Sequence, residues 1–104
     1  MITPMKSLLL VAHGSRREAS NDEVRQVAKR LGGEVNGAFD RVDCAFLELA
    51  EPSIPDGIRQ SIQSGATQVV VLPYFLSAGR HVAEDIPDEV EIVRKERPDI
   101  DITV

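Results

Sequence analysis

Leu8-Leu9-Leu10-Val11-Ala12 is an unbroken apolar run that stops at once in His13-Gly14-Ser15. It is too short for a helix, and its turn-forming boundary marks it as a strand buried on both faces, as strands of parallel sheets are. Parallel strands cannot be joined by tight hairpins. Each needs a long crossover, usually a helix, so this one stretch commits the chain to alternating strands and helices. Open sheets of that kind bind ligands outside the carboxyl ends of their strands. His13 sits at such an end, and the only other histidine, His81, falls at an equivalent place later in the chain.

The remaining segments follow the same alternation. Ser20-Asn21-Asp22-Glu23 supplies N-cap candidates and an acidic first turn, and Val24, Val27, Ala28 and Leu31 recur at helical spacing until Gly32-Gly33, which predicts the stop. Residues 35–40 read as either a loose prolongation or a connection. Arg41 to Leu47 reads as the second strand, leading into Glu48, with Pro52 as a breaker. Ser53 caps a second helix, with Pro55 near its start, that runs to Gly65. Gln68 to Tyr74 is β-branched and apolar, hence a central third strand, and a loop over residues 75–80 leads to His81. A helical pattern follows, in which Pro87 either kinks the helix or opens a separate one from Asp88 to Arg97. Ile100 to Val104 alternates as a fourth strand. The expected fold is α/β: a three-layer arrangement with a four-stranded parallel sheet in the order 2-1-3-4, flanked by helices. In that order strand 1 lies between strands 2 and 3, so His13, Glu48 and the loop before His81 converge at one edge.

Composition narrows the function. The 104 residues fit one domain with a single core, 42% are hydrophobic and 28% charged, and the net charge is -5. An acidic chain without a basic stripe is a poor nucleic-acid binder. No apolar run approaches a membrane span, and Met1 to Lys6 shows no signal-peptide pattern, so no membrane partner and a cytoplasmic location are expected. The single cysteine, Cys44, fits a reducing compartment and reads as a small apolar strand residue. Arg17 reads as solvated surface.

Two histidines and a carboxylate at one sheet edge suit a divalent metal, with imidazole favouring cobalt, nickel, iron or zinc. Glu51, close to Glu48, is an equally plausible ligand. His13-Gly14-Ser15 lacks the further glycines and lysine of a phosphate-cradling loop, and there is no G-x-G-x-x-G, so no nucleotide is expected. Ser15 has no G-x-S-x-G elbow around it. A phosphoryl-accepting histidine would want an arginine before it, and Ala12 stands there instead.

Four stretches together carry a resemblance: Leu8 to Arg16; Ala45-Phe46-Leu47-Glu48-Leu49-Ala50-Glu51-Pro52-Ser53; Leu72-Pro73-Tyr74-Phe75-Leu76; and Gly79-Arg80-His81-Val82-Ala83-Glu84-Asp85-Ile86-Pro87. In order and placement they are similar to the sirohydrochlorin chelatase family, the short class II chelatases. The resemblance implies a lyase-class enzyme that inserts cobalt or ferrous iron into the tetrapyrrole sirohydrochlorin, without a nucleotide, on the way to cobalamin or sirohaem. It implies that His13 and His81 hold the incoming metal and help remove pyrrole protons, with Glu48 assisting. Ser15, Arg16 and Arg80 become candidates for holding the carboxylate-rich rim of the substrate. Family members continue past the fourth strand into a final helix, so residues 1–104 are expected to form a single chelatase-like domain lacking that helix. Some members have two similar halves, which implies a homodimer here. The competing expectation is a metal- or tetrapyrrole-binding protein without turnover.

Overall fold

The computed structural model describes residues 5–74 and 80–104, with side chains of the second span from Asp85 onward. Its elements are β1 (Lys6–Ala12), α1 (Glu18–Glu34), β2 (Arg41–Phe46), α2 (Ile54–Gln63), β3 (Gln68–Pro73), α3 (Arg80–Glu96) and β4 (Asp101–Thr103). The strands form one parallel sheet in the order β2-β1-β3-β4, as the alternation predicts. Register pairs Leu9 with Asp43 and Val71, and Leu10 with Cys44 and Leu72. Paired residues share a face, and successive residues alternate between faces.

One face carries Leu9, Val11, Ala45, Val69, Val71 and Ile102, which pack with Ile54 and Ile58 of α2 and Ile86, Val90 and Val93 of α3 in a single core. Burying each of the Leu, Ile and Val side chains among these is worth about 1.5–3 kcal/mol. The other face carries the buried Leu8, Leu10, Ala12 and Phe46, and α1 packs there on β2. This division follows from chirality. The step from β1 to β2 runs in the opposite direction across the sheet from the later steps, so crossovers of one hand put α1 on the opposite face from α2 and α3.

α2 comes close to the sheet because Gly57 has no side chain. A Cβ there would lie 2.9 Å from the Ala45 Cβ and 3.4 Å from both Leu9 methyl groups. Alanine is the better helix former by about 1 kcal/mol, but neither the strand-borne Ala45 nor the buried Leu9 can give way. Gly57→Ala is therefore expected to lower stability by about 1–3 kcal/mol in urea unfolding, and a raised midpoint would disprove the close-packing account. Arg59 donates to both Glu96 oxygens, at 3.0 and 2.7 Å, tying α2 to α3. Arg94 covers the Ile102 carbonyl of the edge strand at 3.1 and 2.7 Å, a device that blunts an open sheet edge.

The boundaries of α1 and β4 differ from the sequence reading, and α3 decides between the two alternatives that reading left open. α1 starts at Glu18 behind Arg17, and it runs through Gly32-Gly33 to Glu34. The glycines are tolerated because the helix is held on β2, with Gly32 3.6 Å (as a virtual Cβ) from the Val42 Cβ. The left-handed turn falls instead at Gly37, with φ of 105°. α3 is continuous through Pro87 rather than restarting. β4 is limited to Asp101–Thr103, shorter than the alternating stretch that announced it. Among the described residues, no helix is long and apolar enough to cross a membrane.

Candidate functional site

The carboxyl ends of three strands are joined at one edge by backbone hydrogen bonds that extend the sheet past its last ladder pairs. Leu47 N–H donates to the Ala12 carbonyl at 2.9 Å, and Glu48 N–H to the His13 carbonyl at 3.0 Å. On the other side of β1, Tyr74 N–H donates to the Val11 carbonyl at 2.7 Å. Gly14, with φ of 95°, lets the second of these loops lie directly on the first: a Cβ there would be 1.7 Å from the Glu48 carbonyl oxygen. The His13 and Glu48 main chains are thereby locked side by side.

Their side chains meet as well. His13 Nε2 is 2.8 Å from Glu48 Oε1, and the two side chains are 50% and 57% exposed, so a ligand can reach both. Which ring nitrogen carries the proton depends on the tautomer. A nitrogen and a carboxylate oxygen at this separation share a proton, and a divalent cation competes for the same lone pairs. For Glu51, the alternative carboxylate, it is the main chain that makes a contact. Its carbonyl accepts from Arg25 Nη2 at 3.3 Å, which turns that part of the loop toward α1.

The loop that carries Glu48 is closed on itself. Phe46 N–H donates to the Pro52 carbonyl at 2.8 Å, and Leu49 adopts a left-handed backbone with φ of 66°. That conformation costs a branched residue about 1–2 kcal/mol, and such outliers gather where a loop is held for a purpose. Leu49 is exposed, and so is Tyr74 at the end of β3. Both residues follow strand ends at this edge.

Ser15 and Arg16 follow in the bend before α1. Ser15 Oγ accepts from Arg17 N–H at 3.0 Å, which leaves the hydroxyl proton available to a ligand. Arg16 is exposed. Arg80 and His81 are the opening residues of α3, and their side chains lie outside the described residues. Among the described residues, no group of three or more His, Cys, Asp or Glu side chains is arranged to hold a metal ion. The described part of the expected triad is the His13–Glu48 pair.

Three contributors were not legible as such. Asn21, one of the N-cap candidates, turns its amide back to clasp Ser15: Ser15 N–H donates to Asn21 Oδ1 at 2.9 Å and Asn21 Nδ2 donates to the Ser15 carbonyl at 2.8 Å. Arg25 binds Glu18 at 2.5 Å and Asp22 at 2.6 Å and lies 5.3 Å over the Phe46 ring. Its guanidinium, helped by Asn21, holds the Glu18 carboxyl below its ordinary value. Gly14 carried a signal, a glycine directly at a strand end, that marks a close backbone approach without saying to what. Cys44 behaves as expected: burial pushes its thiol up, which disfavours the reactive thiolate.

The CbiX family model matches residues 7–104. A sirohydrochlorin cobaltochelatase of Methanococcus maripaludis is 40% identical over 83 residues, 80% of this chain and 56% of the relative. A chloroplastic sirohydrochlorin ferrochelatase of Arabidopsis thaliana is 40% identical over 89 residues, 86% of this chain and 39% of the relative. The structure of SirB from Bacillus subtilis with Fe3+ superposes with a TM-score of 0.83 at 30% identity, over 94% of this chain and 38% of that one. The chain spans a little over half the length of the cobaltochelatase it matches.

Proposed function

Because it matches that family model along nearly its whole length, the chain belongs to the CbiX family, and from this premise we propose that it inserts Co2+ or Fe2+ into sirohydrochlorin. The observation that carries the reading is the exposed His13–Glu48 pair, 2.8 Å apart at the carboxyl edge of the sheet. Insertion needs a site that binds a metal ion yet can release it, and a base near the macrocycle nitrogens. A divalent ion enters and two pyrrole protons leave, so charge balances. One imidazole and one carboxylate are few and exposed ligands, which suits an ion in transit. Once the ion has passed to the macrocycle, the same nitrogen and oxygen are free to accept the displaced protons.

His81, at the start of α3, is the proposed third member of the set. The exposed Leu49 and Tyr74 offer apolar surface to the flat ring, and Ser15, Arg16 and Arg80 are proposed to meet its carboxylates. The metal is a substrate, and no nucleotide takes part. The proposed setting is the cytoplasm. The test is the absorbance change of sirohydrochlorin mixed with Co2+ and the protein under anaerobic conditions. Acceleration over the uncatalysed rate supports the enzyme, whereas binding of metal or tetrapyrrole without acceleration would leave only a carrier.

A single small domain covers one side of a wide macrocycle, and we propose that residues 1–104 act as one unit that pairs with a second copy through an isologous interface. Light scattering is expected to give the mass of two chains at working concentration. A monomer mass with full activity would remove the need for pairing.

A further inference from the structure

Among the described residues, Asn21 is the one buried side-chain amide next to the site, 1% exposed on the first turn of α1. Burying an amide is costly unless its hydrogen bonds are made. Here they are made to the backbone of one residue, Ser15, through both its N–H and its carbonyl, at 2.9 and 2.8 Å. A weaker third contact, 3.4 Å, reaches Glu18. A cap would have bonded the free N–H groups of its own helix. This amide instead ties the helix to a loop six residues upstream.

The mechanical consequence concerns His13. Its side chain is half-exposed, and its bonded side-chain partner is Glu48, so its placement depends on the main chain of residues 13–15. One end of that segment is held by the Glu48 N–H on the His13 carbonyl and by the Gly14 contact. The other end is held by Asn21. We propose that Asn21 is a positioning residue: its amide clamp fixes the His13-Gly14-Ser15 turn so that the His13 imidazole stays beside Glu48 as a joint metal-binding pair and the Ser15 hydroxyl faces outward. The proposal rests on the metal-handling reading of this pair. Groups behind a ligand that orient it without touching the ion weaken metal affinity by about 10–100-fold when removed.

The test uses Co2+ alone as the probe, titrated into the folded protein by calorimetry, with the visible Co2+ spectrum and the melting temperature recorded for each variant. Asn21→Ala is expected to bind Co2+ about 10–100-fold more weakly, with an altered spectrum. Ser61→Ala is the control, since Ser61 is equally buried but donates to the Gly57 carbonyl at 3.1 Å within α2. It is expected to lower the melting temperature and leave Co2+ affinity and spectrum unchanged. Asn21→Asp keeps the acceptor for Ser15 N–H and is expected to fall between wild type and Asn21→Ala. It carries the comparison if the alanine variant does not fold. Wild-type Co2+ affinity in the folded Asn21 variants, or an equal loss in Ser61→Ala, would overturn the proposal. Weakened Co2+ binding in the Asn21 variants of a protein whose wild type binds Co2+ but does not metallate sirohydrochlorin would overturn the chelatase reading and support the clamp. A wild type that binds no Co2+ would overturn both.

Discussion

Replacing Gly14 with alanine is expected to destabilise the protein by about 2–5 kcal/mol, the sum of a non-glycine residue at positive φ and a hard overlap. The added Cβ would lie 1.7 Å from the Glu48 carbonyl oxygen and 2.9 Å from its carbon. Neither loop can yield cheaply, because the same segment carries the Leu47-to-Ala12 and Glu48-to-His13 hydrogen bonds. A domain with an ordinary stability of about 5–15 kcal/mol would lose much of its margin. Gly37→Ala separates the two causes. Its φ is 105°, yet a Cβ would meet nothing within 4 Å, so it bears the conformational strain alone and is expected to cost about 1 kcal/mol. Urea unfolding followed by circular dichroism reads both. Equal losses in the two variants would mean that the contact between the loops contributes nothing.

The second large effect is expected at His13. His13→Ala should cut the proposed metal insertion by about 10²–10⁴-fold, the range for removing a positioned acid–base group, and should weaken Co2+ binding. Stability should change little, because the ring is 50% exposed. Glu48→Gln preserves shape but removes the charge, so turnover should suffer more than folding. His81→Ala is expected to resemble His13→Ala if the third ligand is correctly assigned. Arg17→Ala should be nearly silent, since Arg17 is exposed and its recorded contacts with Ser15, Ser20 and Asn21 run through its backbone. Both ligands must shed protons to bind metal, so wild-type Co2+ affinity should fall as the solution is acidified. Unchanged Co2+ binding in both histidine variants would sink the metal-site reading.

The order of strands and helices was legible because periodicity is local. The apolar run of Leu8 to Ala12 and the β-branched run around Val69 to Val71 reveal buried strands without knowledge of what buries them. Helical crossovers between parallel strands then leave few topologies, and β2-β1-β3-β4 was the expected one. Strand ends are where such a sheet holds its chemistry, so His13 and Glu48 could be named as neighbours from that order.

The tertiary structure alone decided how those neighbours meet. Glu48 and Glu51 are indistinguishable as carboxylates in the sequence. The fold brings the Glu48 side chain to His13, with Glu48 N–H in register on the His13 carbonyl, while Arg25 on α1 binds the Glu51 carbonyl. Asn21 has the chemistry of a cap, and only the closeness of the Ser15 backbone makes it a clamp. Gly32-Gly33 has the signature of a helix stop, and packing on β2 carries α1 past it. In each case a residue has two local uses of similar free energy. Contacts between segments distant in sequence choose between them, and those contacts exist only once the sheet has formed.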